Sequence, residues 1–509
     1  MLSEGSTMKG LLTFSRVLHK YVGLLILFFL MLIGTTGILL NHPSLIDGME
    51  VPHHVLGKSY EYDNWNRFSF RDSLVLDDGT IVIGGKLGVF AGRPGGESFA
   101  ALNGGLPAAV FLRDTTSLAV VNRPDGARLF AGTRGGLFFR DAADDRWSRV
   151  SAPAAHESIV DLAAAGDTVY AFTKHRVFAA SPTPGDPVFV RTTLALDSAG
   201  RHVPGFNLLF IMHHGELFGL PGRLVADGTA VALIFLSLTG GYTWLFPGRL
   251  RKRLRRSGTK LFAFSYRYHL KLGIWFAAPL LVIALTGALI RPPLIVLLKS
   301  WEVPDAWLGG SAQEILKAAV TGDGTLIVAA KSGWYRGRID QDRPLQPCEP
   351  PFPVFSMGPT VLEPVSAGML LAGSFSGLYY WNTANNTGVD LAGGQAQLND
   401  GLRPADLMAA GALVKDGNLL AYADYSKGLQ SVSVGRELLD TAWPESPQLM
   451  RMSLYHFLFE LHNGRFFRDL VGGWYILYVP LLGLLAAFVV ITGVIDWCGR
   501  KLKRPRAQP

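Results

Sequence analysis

Four apolar stretches, each long enough to cross a bilayer, constrain this chain more than anything else in it: Tyr21 to Leu40, Gly228 to Phe246, Leu272 to Ile290 and Trp474 to Ile495. A spanning helix needs about 20 largely apolar residues, because inside hydrocarbon each backbone N–H and C=O must be satisfied within its own segment. The composition agrees. Only 17% of the 509 residues are charged, against about a quarter in soluble proteins, and mean hydropathy is +0.24. An apolar fraction of 49% excludes an intrinsically disordered chain. The first stretch does not read as a removable signal peptide, since its apolar run is too long and Asn41-His42-Pro43 offers no small-residue cleavage site.

The formal charge of +8 invites a nucleic-acid reading until its position is considered. Residues 1–20 carry a net +2, the connector Arg249–Lys260 +7 and the tail Arg500–Arg506 +5, which leaves −6 for the rest of the chain. These basic segments fall on one side of the four spans, and basic residues mark the cytoplasmic side. The charge is therefore a topology signal, and nucleic acid is not an expected partner. The expected order is an N-terminal cytoplasmic segment with the first span (1–41), an external loop (42–203), and the second span with its external approach (204–248). A basic cytoplasmic loop (249–265), the third span (266–291) and a second external loop (292–450) follow. The fourth span with its approach (451–498) and a basic cytoplasmic tail (499–509) complete it. With two cysteines, Cys348 outside and Cys498 inside, zinc ribbons, cysteine-ligated clusters, c-type haem and a disulfide scaffold are excluded.

The chain repeats itself. At an offset of 250, Phe14-Ser15, His19, Gly23 and Thr36-Gly37 match Phe264-Ser265, His269, Gly273 and Thr286-Gly287. Around the other two spans, Phe210, His213, Gly215 and Phe218 match Phe459, His462, Gly464 and Phe467, and Thr239-Gly240 with Trp244 match Thr492-Gly493 with Trp497. Both halves start on the same side, so the expected fold is a parallel duplicated repeat of four transmembrane helices with a pseudo-two-fold axis along the membrane normal. The recurring glycines would let helices approach closely.

Each external loop alternates short β runs with turns, and one unit recurs in both. A β run and a tight turn lead to Gly-apolar-aromatic at Gly88, Gly136, Gly333 and Gly377, with weaker copies at Arg176 and Gly428. Spacings of 48, 40, 44 and 51 between successive markers suit four-stranded propeller blades. Three units per loop predict an all-β, propeller-like external region of six blades, with two separate β-sandwich-like lobes as the alternative.

Four of the twelve histidines obey the repeat: His19 and His269 at the cytoplasmic edge, His213 and His462 on the external approaches. Ionisable side chains beside spans are costly and point to function. The symmetry axis brings His19 towards His269 and His213 towards His462, and two facing imidazoles form the simplest b-type haem site. Zinc or copper, or a purely interfacial role for each ring, stay open. Gly215 and Gly464, two residues beyond the external histidines, would leave room for a flat macrocycle. His214 and His42 are spare candidates for the external site, whereas His53, His54, His156, His175, His202 and His456 read as loop residues.

At these residues the chain resembles the PepSY-associated transmembrane helix family of bacterial inner-membrane proteins. The likeness lies in Leu18-His19-Lys20-Tyr21-x-Gly23, in Leu461-His462-Asn463-Gly464-Arg465, in His213-His214-Gly215 and in the Thr-Gly closing each span. It implies a di-haem b membrane reductase of the inner membrane, with His19, His269, His213 and His462 as iron ligands and periplasmic loops. It also implies reduction of a ferric siderophore or another metal complex or redox protein, with electrons from a quinol or a cytoplasmic reductase. Arg465, Arg468 and Arg223 would be near enough to meet haem propionates. Many members carry small α/β modules outside, and the β repeats here depart from that. A non-enzymatic, membrane-anchored β-propeller that binds or assembles a partner is the alternative function.

Overall fold

The computed structural model describes residues 2–62, 64–93, 98–124, 126–151, 157–181, 185–198, 200–245, 256–298, 300–339, 341, 343–391, 401, 404–432 and 451–502. Most of the basic connector, residues 249–255, and of the tail, residues 503–509, lies outside these. The chain forms two compact units: 1–46, 204–303 and 455–509 make a helical one, and 47–203 with 304–454 a β-rich one.

The helical unit contains α1 (Leu2–Asn41), α2 (Gly205–His213), α3 (Gly219–Leu245), α4 (Arg256–Trp275), α5 (Ala277–Leu289), α6 (Leu454–His462) and α7 (Tyr478–Leu502). Three helical stretches, Leu12–Asn41, Glu216–Leu245 and Arg465–Lys501, are long and apolar enough to span a membrane. The third expected span, Leu272 to Ile290, is not one straight helix: α4 and α5 meet at a 66° bend, and only together do they reach a spanning length. The break has a local cause. Pro279 has no N–H, and its ring would clash with the carbonyl of Trp275 in a continuous helix, so the chain restarts at Ala277 with Pro279 in the first turn. Helix α1 packs against both α3 and α7, α3 against α4, and α7 against α5. Ridges close to backbone contact hold these crossings: a Cβ on Gly483 of α7 would stand 2.6 Å from the Ala284 carbonyl of α5.

The β-rich unit takes in both long loops, so they do not form separate lobes. Among the described residues its larger antiparallel sheets number six, in chain order, five of four strands and one of three, beside a two-stranded pair, Glu50–Val51 with Met452–Ser453. Their leading strands are β1 (Asp72–Val75), β2 (Thr115–Arg123), β3 (Ile159–Ala165), β4 (Ile315–Val320), β5 (Val361–Ser366) and β6 (Ala409–Lys415). Each recurring sequence unit is the second hairpin of its sheet, as in Ile81–Gly85 paired with Gly88–Gly92. The marker glycine follows the two-residue turn at positive φ, +106° at Gly88 and +127° at Gly136, where a side chain is strained.

Strand alternation sends side chains to both neighbours of a sheet. Ile81 and Ile83 pack with Leu413 and Ala421 of the sixth sheet, and Val82 between them packs with Leu118 and Leu129 of the second. A separate apolar layer lies between each sheet and the next, and Phe172 and Phe178, fully buried on opposite faces of the third sheet, serve two of them. Burying such a phenylalanine contributes roughly 1.5–3 kcal/mol. Each leading strand touches the following one, and β6 touches β1. Side chains tie these strands together: Asp72 accepts from Ser117 Oγ and the Leu118 amide at 2.8 and 2.7 Å, and Asp161 from Lys317 Nζ and the Ala318 amide at 3.0 and 2.9 Å. Ser73 Oγ donates to the Ala412 carbonyl at 2.9 Å.

Candidate functional site: two histidine pairs

The four repeated histidines come together in the expected pairs. The rings of His19 on α1 and His269 on α4 have centroids 6.2 Å apart with planes at 88°, and those of His213 on α2 and His462 on α6 are 6.3 Å apart at 62°. All four are half-buried.

One device holds all four rings, and it is the Thr-Gly that closes each span. His19 Nδ1 lies 2.9 Å from the Val489 carbonyl and 3.3 Å from Thr492 Oγ1, and His213 Nδ1 lies 3.1 Å from the Ile283 carbonyl and 3.2 Å from Thr286 Oγ1. His269 Nδ1 meets Thr239 Oγ1 at 3.0 Å, and His462 Nδ1 meets Thr36 Oγ1 at 2.9 Å, with the Leu236 and Ile33 carbonyls as their backbone partners. In every case the carbonyl belongs to the residue three before the threonine. Each threonine hydroxyl also lies within 2.9 Å of the carbonyl four residues back, at Leu32, Phe235, Val282 and Phe488, and spends its one hydrogen there. Towards the imidazole it can then only accept. Nδ1 is therefore the protonated nitrogen, and Nε2 carries the free lone pair.

The glycine after each threonine clears space for the same ring. An added Cβ would come 2.7 Å from His213 Cε1 at Gly287, 3.0 Å from His19 Cε1 at Gly493, 3.3 Å from His269 Cε1 at Gly240 and 3.5 Å from His462 Cε1 at Gly37. This corrects the expectation for Gly215 and Gly464. They end α2 and α6 in the left-handed conformation, at φ +81° and +80°, and a Cβ there would meet the Gly222 carbonyl or Tyr478. The threonines and their glycines were legible as repeat markers, but their task was not, because each serves a histidine of a different segment.

The spare candidates are engaged elsewhere. His42 Nε2 pairs with Asp227 Oδ2 at 2.8 Å, and Asn41 Nδ2 donates to Asp227 Oδ1 at 3.1 Å. His214 stacks edge-on against Phe210, with Nδ1 3.7 Å from Glu216. His456, read as a loop residue, lies on α6 beside Tyr455. Of the arginines named for anionic groups, Arg465 is paired with Glu460 and Arg223 with Glu216, both at 2.6 Å, and Arg468 is exposed. Arg291, which no sequence pattern singled out, follows α5 five residues after Thr286, and its charge acts on both His213 and His462.

Each pair thus offers two neutral imidazoles with their Nε2 lone pairs uncommitted. Helices long and apolar enough to span a membrane, two imidazole pairs on and beside them and a distinct β-rich unit define an integral membrane protein. The chain belongs to the PepSY-associated TM region family, whose model matches residues 16–500. No curated protein matches the sequence closely enough to count as a relative. Among solved structures it is similar to the extracellular domain of a one-component system from B. thetaiotaomicron, at 11% identity and a TM-score of 0.34, over 74% of this chain and 35% of that one. It is also similar to PorZ, a surface component of the type-IX secretion system of Porphyromonas gingivalis, at 12% identity and a TM-score of 0.22, over 72% of this chain and 40% of that one. The chain spans well under half of either protein, and likenesses this weak carry neither fold nor function.

Proposed function

We propose that this is a di-haem b electron-transfer protein of the bacterial inner membrane that reduces a periplasmic acceptor, a ferric siderophore or another metal complex. One observation carries the reading: histidines from four segments form two imidazole pairs, each ring fixed through Nδ1 by a Thr-Gly of a neighbouring helix.

The donor set fits haem iron. Two imidazoles that would hold one metal ion between them need ring centres roughly 6 Å apart, given metal–nitrogen bonds of about 2.0–2.1 Å. The observed separations are 6.2 and 6.3 Å. A tetrahedral zinc site fits less well, since among the described residues no group of three or more His, Cys, Asp or Glu surrounds a common point. His19 and His269 would hold one haem and His213 and His462 the other, and bound haem supplies one-electron chemistry at both faces of a membrane that otherwise blocks electrons.

The chain's own part is positioning. Carbonyl and threonine acceptors at Nδ1 set the tautomer, fix the ring and raise the basicity of Nε2. Helix α1 carries His19 near its middle and Thr36, the holder of His462, 17 residues on, which separates the two sites by about 25 Å along the helix. The positive-inside pattern puts both termini and the His19/His269 site on the cytoplasmic side, where a quinol or a soluble reductase would deliver electrons. The same pattern puts the β-rich unit in the periplasm. We read its six sheets as the blades of a propeller, supported by the contact of every leading strand with the next and of β6 with β1.

The test is the optical spectrum of protein purified after expression with ample haem. A dithionite-reduced sample should show sharp Soret and α bands with two haems per chain, and the double variant His19→Ala/His269→Ala should keep one. A colourless protein removes the reading and leaves a membrane-anchored binding protein.

A further inference from the structure

The second histidine pair has a cation near it that forms no ion pair among the described residues. Arg291 stands just beyond the end of α5, the helix that carries Thr286, the residue that holds His213. Its charge reaches both rings of the pair. It is half-buried, and among the described residues its guanidinium makes no hydrogen bond and no ion pair within 4 Å. The acid whose charge acts on it is Glu460, and that carboxylate is already closed on Arg465 at 2.6 Å.

The repeat shows that this is not a general feature of the position. At the 250-residue offset Arg291 and Pro292 correspond to Asn41 and His42, and those two are held by Asp227. Among the described residues no acid plays that part for Arg291. A half-buried guanidinium with no anion on it is a ready donor, and its fork geometry suits a carboxylate best.

From this we infer that Arg291 is the anchor for the anionic edge of the group held between His213 and His462, receiving a macrocycle carboxylate in a charge-assisted hydrogen bond. The inference rests on the haem reading and deepens it. Arg465 and Arg223 are thereby released from that role, since each already has its own glutamate.

A lipid phosphate could also meet an arginine at this depth, and the experiment separates the two. Arg291→Gln, Arg291→Lys and, as the control, Arg465→Gln are purified in detergent with haem bound. Haem content, the two midpoint potentials and the rate of haem transfer to an apoprotein trap are then measured. Loss of a charge-assisted hydrogen bond predicts that one of the two haems leaves on the order of tenfold or more faster in Arg291→Gln. Removal of a cation also lowers the potential of that haem alone, because the oxidised iron carries the extra positive charge. Arg291→Lys restores most of both, and Arg465→Gln moves neither. Two haems with unchanged potentials and release rates in Arg291→Gln would overturn the assignment and give Arg291 to lipid phosphate, with the haem reading intact. A wild-type protein without haem overturns both.

Discussion

Gly287→Ala and Gly37→Ala add the same methyl to the same repeat position, next to the two histidines of one pair, and should have opposite consequences. At Gly287 the new Cβ would stand 2.7 Å from His213 Cε1 and 3.2 Å from its Nδ1. Carbon atoms do not approach so closely, so the ring must retreat by several tenths of an ångström. His213 cannot do that and keep Nδ1 at 3.1 Å from the Ile283 carbonyl and 3.2 Å from Thr286 Oγ1, because these acceptors lie on the same turn that pushes. Overpacking of this kind costs about 1–3 kcal/mol, or roughly 5- to 150-fold in an equilibrium constant. At Gly37 the added Cβ would sit 3.5 Å from His462 Cε1, an ordinary contact. The assay is haem stoichiometry by reduced pyridine spectra together with thermal unfolding in detergent. If the proposed haems are bound, Gly287→Ala should lose the one at the His213/His462 pair and keep the other, with Gly37→Ala close to wild type in both readouts. Wild-type occupancy in Gly287→Ala, or equal damage in the two variants, would refute the reasoning that Thr-Gly shapes the ring pocket.

Three further outcomes follow from single contacts. Thr239→Val removes the hydroxyl 3.0 Å from His269 Nδ1 and should weaken cofactor retention at the His19/His269 pair about 10-fold, with Thr239→Ser near wild type; equal retention in the valine variant would show that the Leu236 carbonyl suffices. In the β-rich unit, Asp161→Asn strands the buried Lys317 ammonium and should cost about 3–5 kcal/mol in chemical unfolding, most of it recovered in Asp161→Asn/Lys317→Met; no recovery in the double variant would place the loss elsewhere. Asp141 is held below the usual carboxylate range mainly by its hydrogen bonds from Arg128, at 2.5 and 2.7 Å. A lowered carboxylate stabilises the fold above its unfolded value of 3.8 and loses that contribution as pH falls through the folded one. Asp141→Asn should therefore be less stable than wild type at pH 7 and converge with it below about pH 4, and a gap that persists in acid would contradict the linkage.

Much of the architecture was legible because its signals are local. A run of apolar residues either can or cannot satisfy its backbone in lipid, and the three helical stretches lie where hydropathy put them. The hairpins were readable for a similar reason: Gly88 or Gly377 after a two-residue turn marks a backbone that only glycine adopts without strain. The bend at Trp275 was written in Pro279 too, although a hydropathy run averages over it. The two Gly of His-x-Gly misled, because a glycine reads the same whether it ends a helix or makes room for a ring.

The sequence by itself determined three of the spans, the six hairpins and which four histidines meet in pairs, since periodicity, turn chemistry and matched spacing are properties of short segments. Only the tertiary structure decided that Thr36 serves His462, that Thr492 serves His19, that Asp227 pairs with His42, and that Arg291 has no ion pair among the described residues. Those partners lie up to 473 residues apart along the chain. What a hydroxyl accepts, or which cation stays unmatched, depends on which helices come within a few ångströms of each other, and packing alone fixes that.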